Sequence, residues 1–182
     1  MSPTSKSPAQ TLIQHFKMEK IPAEGPWFTV TYRSEDLLDA KGLPGRYQGN
    51  RVAGTAIYAV QTEEDFSAIH KLATDEIWHF YRGDPLEMLL LYPDGHGQIV
   101  VIGPDVVQGQ HPQFVVPRDV WQGSRPVGST PESYSFFGNT LAPGFAFDDF
   151  EMGYRDELQE NYPEFSNHIA RLTRAEFTTR QR

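Results

Sequence analysis

The sequence contains no cysteine, which removes disulfides, thiolate nucleophiles and thiolate metal sites from consideration. The fold must rest on its core, and any metal must be held by His, carboxylate or amide ligands. Long apolar runs are missing as well. Nothing approaches the roughly 20 residues that span a bilayer, and Met1 to Gln10 lacks the apolar stretch of a secretory signal. The expectation is a soluble, cytoplasmic chain with no membrane partner. Clusters of Lys and Arg are absent too. With Lys+Arg 16 against Asp+Glu 24 the formal net charge is −8, which repels polyphosphate backbones and argues against a nucleic acid partner. There is no internal repeat and no low-complexity linker.

What is present suits one domain. The 182 residues are 38% hydrophobic and include 12 Phe, 8 Tyr and 3 Trp, enough for a core of ordinary size. The 15 Gly and 14 Pro imply many turns and an all-β domain. Residues 1–10 read as a disordered, Ser/Pro/Lys-rich N-terminus, and residues 11–182 as a single domain that includes an N-terminal helix and a C-terminal helical tail. Leu12, Ile13 and Phe16 predict a short helix over Thr11 to Lys20, ended by Pro22. Strand-sized runs follow at Trp27–Tyr32, Thr55–Val60, Ser67–Leu72, Glu76–Tyr81, Glu87–Tyr92, Gln98–Ile102, Gln113–Val116 and Tyr134–Asn139. Turn phrases such as Gly83-Asp84-Pro85 and Pro93-Asp94-Gly95 separate them, which indicates a sandwich or barrel. Leu158, Phe165, Ile169 and Leu172, set among charges, predict two short helices broken near Pro163.

One run carries a motif: His70-Lys71-Leu72-Ala73-Thr74-Asp75-Glu76-Ile77-Trp78-His79-Phe80-Tyr81-Arg82-Gly83. It resembles the first motif of the cupin superfamily, in which a His, a second His and a Glu at this spacing line a small β-barrel and hold a metal. Here the second His is Leu72. Longer phrases resemble one subfamily, DUF985 or cupin 5. They are Trp27 to Ser34, Phe66 to Glu87, Val116-Pro117-Arg118-Asp119-Val120-Trp121-Gln122, and Ala142-Pro143-Gly144-Phe145-Ala146-Phe147-Asp148-Asp149-Phe150-Glu151. The resemblance implies a double-stranded β-helix, or jelly-roll, barrel assembled as a homodimer, similar in build to the epimerases of deoxysugar nucleotides, with a pocket at the barrel mouth. It implies no single reaction. The second cupin motif has Pro, then Gly two residues on, then a ligating His three further; this chain has Pro117, Asp119 and Gln122. Where the subfamily reads His-Pro-Glu-Gly-Gly-Tyr-Phe-Arg-Glu-Thr-Tyr, this chain reads Pro22-Ala23-Glu24-Gly25-Pro26-Trp27-Phe28-Thr29-Val30-Thr31-Tyr32. Loss of that Arg would favour a more apolar substrate.

Strand alternation places Leu72 on the face of His70, and Trp78 and Phe80 on the face of Glu76. The resulting pocket of His70, Leu72, Glu76, Trp78, Phe80 and Gln122 admits two uses. His70, Glu76 and Gln122 can hold a divalent ion weakly, since a neutral amide is a poorer ligand than imidazole for a first-row transition metal. Without a metal, His70 and Glu76 can move a proton, with Tyr58 or Tyr134 as a further donor, in a dry and shaped cavity. Structural readings stand beside these. Pro117 and Gly123 mark turns, so Gln122 reads equally as a loop cap. His79 faces opposite to Trp78, His96 is a turn residue, and Asp148 and Asp149 read as an inter-element contact or helix cap. The leading expectation is a small-molecule isomerase, epimerase or cyclase acting on a carbonyl-bearing or polycyclic metabolite, with no required cofactor or a weakly held metal. The alternatives are a non-catalytic cupin binding a small molecule such as a nucleotide sugar, and a metal-dependent dioxygenase or decarboxylase.

Overall fold

Residues 6–128 and 130–180 are described in the computed structural model of the chain. Its first helix, α1 (Pro8–His15), begins earlier than apolar spacing alone predicts. Ser7 is the reason: its hydroxyl accepts from Gln10 N at 3.2 Å while the Gln10 side chain accepts from Ser7 N at 3.2 Å, a reciprocal cap that fixes the first turn. Pro8 sits at a first-turn position, where its missing N–H costs nothing. Pro8 to Gln10 are therefore helical, which corrects the disorder expected over 1–10; residues 1–5 lie outside the described residues. The helix also stops short of Lys20, because Lys17 turns the chain at φ 51° and Glu19–Lys20 form the first strand, β1.

The remaining strands are β2 (Trp27–Arg33), β3 (Leu37–Leu38), β4 (Arg51–Val52), β5 (Thr55–Thr62), β6 (Ser67–Leu72) and β7 (Glu76–Gly83). After them come β8 (Leu86–Leu91), β9 (Gly97–Ile102), β10 (Gln113–Val116), β11 (Trp121–Pro126), β12 (Tyr134–Leu141) and β13 (Phe150–Met152). A six-stranded sheet runs β1-β2-β5-β12-β7-β10 and a five-stranded sheet runs β13-β6-β11-β8-β9, all neighbours antiparallel. β3 and β4 form a separate pair. The fold is a double-stranded β-helix. Two short tail helices follow, α2 (Arg155–Asn161) and α3 (Ser166–Arg171), with a 3₁₀ turn at Pro163–Phe165 between them, as the interrupted apolar pattern predicts. Among the described residues no helix is long and apolar enough to cross a membrane.

Strand β11 was not legible in the sequence, although it lies between β6 and β8 in the second sheet. Gly123 reads as a turn residue, yet it serves close approach: a Cβ there would lie 2.7 Å from Ile69 Cγ1. The β6 register shifts between Gln122 and Ser124, so the glycine marks a bulge within the strand.

The alternation of β8 explains the packing of the barrel. Met88 and Leu90 join Trp78, Val116, Val120 and Phe137 between the sheets. Leu89 and Leu91 face outward onto Leu158, Tyr162, Ile169 and Leu172 of the tail. A strand buried on both faces reads as an unbroken apolar run, and Leu86 to Leu91 contains one. On the outside of the other sheet, Ala9 and Met18 pack with Val60 and Tyr134, and Tyr58 and Phe136 lie against that cluster.

A buried ion pair ties the tail phrase to the barrel. Arg51 Nε donates to Asp149 Oδ2 at 2.7 Å and Arg51 Nη2 to Asp149 Oδ1 at 2.6 Å, with side-chain exposures of 3% and 4%. The expected inter-element role of Asp149 is thus realised as a two-pronged clamp between β4 and the turn before β13. Removing one partner of such a pair strands a buried charge and costs about 3–5 kcal/mol. Asp149→Ala is therefore expected to lower stability by about that amount in urea unfolding, whereas a change under about 0.5 kcal/mol, typical of an uninvolved surface site, would show that the clamp contributes little.

Candidate functional site

A cavity of about 130 Å3 opens between the sheets. Its walls are mostly apolar: Ile21, Phe28, Ile57, Leu72, Leu141 and Phe150 line it, with Val30 and Phe147 among the other lining residues. Val30 and Phe147 are 57% and 67% exposed, which marks them as the rim. Into this space project Glu24, His70, Glu76, Trp78 and Asn139, while Arg33, an exposed residue, stands at the edge.

The parity of β6 and β7 places the first of these groups as the sequence predicts. His70 and Leu72 come from one sheet, Glu76 and Trp78 from the other. His70 Nδ1 lies 2.9 Å from the carbonyl oxygen of Ala68. A carbonyl only accepts, so Nδ1 carries the proton, and in the neutral ring Nε2 is left as the acceptor. The ring stacks on Phe150 with centroids 5.1 Å apart, which fixes its plane.

Glu76 is buried and held on one side only. Gln122 Nε2 donates to Glu76 Oε2 at 2.7 Å, and Trp78 Nε1 donates to the same oxygen at 3.1 Å. Trp78 Nε1 is shared with Gln122 Oε1 at 2.9 Å, which closes a triangle of three side chains. Burial pushes the Glu76 carboxyl up from 4.5 to about 7; His70 pulls it down when its ring is protonated, the charge of Glu24 adds to the rise, and the two hydrogen bonds oppose it. Desolvation wins because the surrounding wall is aromatic and aliphatic.

Gln122 is neither a loop cap nor a free ligand: it sits in β11 opposite His70 and Leu90, and its amide is spent on Glu76 and Trp78. Phe80 shares the inward face but packs into the barrel core beside Phe137, away from the cavity lining. Tyr58 and Tyr134 lie on the opposite face of the first sheet, where Tyr58 meets Phe16 at 5.2 Å and Phe136 at 5.4 Å. Neither reaches the cavity, because strand alternation gives that wall to Ile57 and Thr55. His79 is also turned away, bonded to Thr140 Oγ1 at 3.1 Å. Thr29 is not part of the lining, whereas Phe28 and Val30 are. The change that matters is at Val30, where the subfamily phrase has Glu. Asp119, in the place of the motif Gly, keeps a left-handed backbone at φ 64°, a conformation Asp tolerates better than most residues.

Two functional candidates are not evident from the sequence alone, although Glu24-Gly25 matches the Glu-Gly of the subfamily phrase. Glu24 lies in the turn between β1 and β2, flanked by Ala23 at φ 65° and Gly25 at φ 122°. Its carboxyl accepts from Ser67 Oγ at 2.6 Å and stands 4.0 Å from His70 Nδ1. Arg174 holds that turn, donating to Glu24 O from Nε at 3.1 Å and Nη2 at 2.9 Å. Its guanidinium fills the place a Cβ on residue 25 would take, 1.7 Å away, so only Gly fits. The second candidate, Asn139 on β12, reads as an ordinary strand end in the sequence.

The donor set does not fit the metal that the motif announces. Leu72 offers no ligating atom, the Gln122 oxygen faces the indole N–H, and among the described residues no three His, Cys, Asp or Glu side chains are grouped to hold an ion. The weak set of His70, Glu76 and Gln122 is therefore reduced to two donors.

Comparison with known proteins places the chain among relatives of the same build. Residues 10–153 match the cupin superfamily family DUF985. The chain is 29% identical over 166 residues to the uncharacterized protein YML079W of Saccharomyces cerevisiae, covering 86% of this chain and 81% of that one. A hypothetical protein from Leishmania major superposes with TM-score 0.79 at 27% identity, over 91% of this chain and 98% of its own. Protein SO0799 from Shewanella oneidensis superposes with TM-score 0.80 at 28% identity, over 93% and 99%.

The raised Glu76 value has a consequence for stability. From about 4.5 to about 7 the folded chain keeps a proton that the unfolded chain has released, so this group lowers stability as pH rises through that window. Glu76→Gln mimics the neutral acid and keeps the Oε2-side hydrogen bonds. It is expected to gain roughly 3 kcal/mol on wild type between pH 4 and pH 8 in urea unfolding. An unchanged difference between the two proteins across that range would mean that Glu76 is not held neutral.

Proposed function

We propose that this chain, which belongs to the DUF985 family of the cupin superfamily, is an isomerase that moves protons on a small neutral carbonyl compound held in the barrel. The observation that carries the reading is the pairing of His70, its Nδ1 bonded to Ala68 O and Nε2 left to accept, with a Glu76 carboxyl pushed to about 7 in an apolar cavity. One group is built to accept a proton and the other to give one at neutral pH.

The step balances without any oxidant or reductant. His70 Nε2 removes a proton from the carbon beside the carbonyl, and the C–H electron pair forms a C=C bond as charge moves to the carbonyl oxygen. Glu76 delivers its proton to that oxygen, giving the enol. Return of the enol proton to Glu76, and of the His70 proton to the far carbon of the dienol that an enone substrate forms, completes migration of the double bond with no net change in protons. Glu24, 4.0 Å from His70 Nδ1, favours the imidazolium that forms in between. It acts through His70 and is a positioning residue.

Size and charge narrow the substrate. A volume of about 130 Å3 is close to that of cavities that hold one benzene-sized ring, which favours a monocyclic compound over a polycyclic one. A nucleotide sugar is a poorer match, because the cavity carries two carboxyls and its one Arg, Arg33, stands at the rim. Metal-dependent dioxygenase or decarboxylase chemistry is a poorer match to a donor set reduced to His70 and Glu76.

A panel of one-ring ketones in D2O tests the reading, with deuterium uptake beside the carbonyl followed by NMR. Uptake above the buffer rate is expected for at least one member, falling by at least about 100-fold in His70→Ala and in Glu76→Gln. Wild-type rates in both variants, or buffer rates for every compound, would contradict it.

A further inference from the structure

Asn139 stands out in the cavity wall. It occupies β12, a central strand of the first sheet, directly between Ile57 on β5 and Trp78 on β7, and both neighbours line the cavity. Asn is a poor strand former, and nothing in the strand ladder asks for it here. The residue is 4% exposed, and its Nδ2 is shut off from water-sized space without a hydrogen-bond partner among the described residues, so a half-turn of the amide about Cβ–Cγ is what aims the N–H into the cavity. Buried donors are nearly always paired, and an unpaired one in a native fold calls for an explanation. We infer that Asn139, with its amide so turned, is the substrate's oxygen anchor: the N–H donates to the carbonyl oxygen of a neutral, one-ring ketone or enone and holds the negative charge that grows there.

The surroundings decide the class of ligand. An N–H needs an acceptor, so the ligand brings an oxygen with a lone pair. A second donor is close at hand, since Glu76 lines the same cavity and both of its protein hydrogen bonds go to Oε2, which leaves Oε1 for the ligand. Two donors meeting at one oxygen in a water-poor site match an enolate better than a ground-state carbonyl, and such preorganised donors act chiefly on the transition state. A carboxylate or phosphate ligand would bring its own charge against Glu24 and Glu76. The assignment rests on the proton-transfer reading for its catalytic sense, while the binding claim stands on the unpaired amide alone.

Phenol and toluene separate the two claims, since both fill a one-ring cavity and only phenol offers an oxygen. Calorimetric titration of the intact protein is expected to give at least tenfold tighter binding of phenol than of toluene. Asn139→Leu is expected to abolish that preference by losing phenol affinity while keeping toluene. A second readout needs no variant: phenol, but not toluene, should shift the Asn139 side-chain amide signals in an NMR spectrum of the wild-type protein. Equal affinity for the two probes, unchanged phenol binding in Asn139→Leu, or a silent Asn139 amide would overturn the anchor. Absence of ketone exchange by the wild-type protein, with the phenol preference intact, would count against the isomerase reading and leave the anchor standing.

Discussion

A carboxyl taken out of water is costly unless something holds it, and in this barrel the holding is done across the two sheets. Glu76 and Trp78 come from β7 of one sheet and Gln122 from β11 of the other, and their three polar groups close on one another. This triangle fixes the orientation of the Glu76 acid and joins the two layers at the cavity wall. It also uses up the Gln122 amide at the position where the second cupin motif carries a ligating His. A place that serves metal coordination in that motif serves here as a cross-link that keeps an acid aimed, while burial keeps it neutral.

The rest of the site is arranged around that fixed point. Leu72 and Val30 replace polar groups of the motifs with aliphatic wall, which lowers the local dielectric and pushes the Glu76 carboxyl up. The aromatic rim is carried by the segment that holds Phe147 and Phe150, and Arg51 clamps that segment through Asp149. On the other side Arg174, far along the chain, pins the turn that presents Glu24. The walls of the barrel centre are thus held by cations placed outside it, neither of them among the cavity lining.

The sequence made the architecture and one side of the site legible, and physical reasons separate what was seen from what was not. His70, Leu72, Glu76 and Trp78 obey strand alternation, so their shared cavity could be read from spacing. Phe80 obeys it too, yet alternation gives the face and not the depth, and it lies in the core. Tyr58 and Tyr134 have suitable chemistry, but they lie on the outer face of their sheet and are thereby excluded. Strand β11 was hidden because Gly123 at a bulge looks like Gly in a turn. Glu24 keeps the Glu of the subfamily phrase, but its place at the cavity depends on a left-handed turn and a partner some 150 positions away in the chain, which a run of neighbouring residues does not show. Asn139 was countable as a poor strand former within a strand, and that was the one signal available. What marks it, an amide N–H without a partner, exists only once the chain is folded.

The central claim is that Glu76 carries a proton at neutral pH because the barrel desolvates it. The most direct measurement is a carboxyl-carbon NMR titration of the 13C-labelled protein, with Glu76→Gln identifying the signal. A midpoint near 7 is what the burial of this group requires. A midpoint near 4.5, the ordinary value for this side chain, would contradict the account, since Glu76 would then be an anion at neutral pH and have no proton to give.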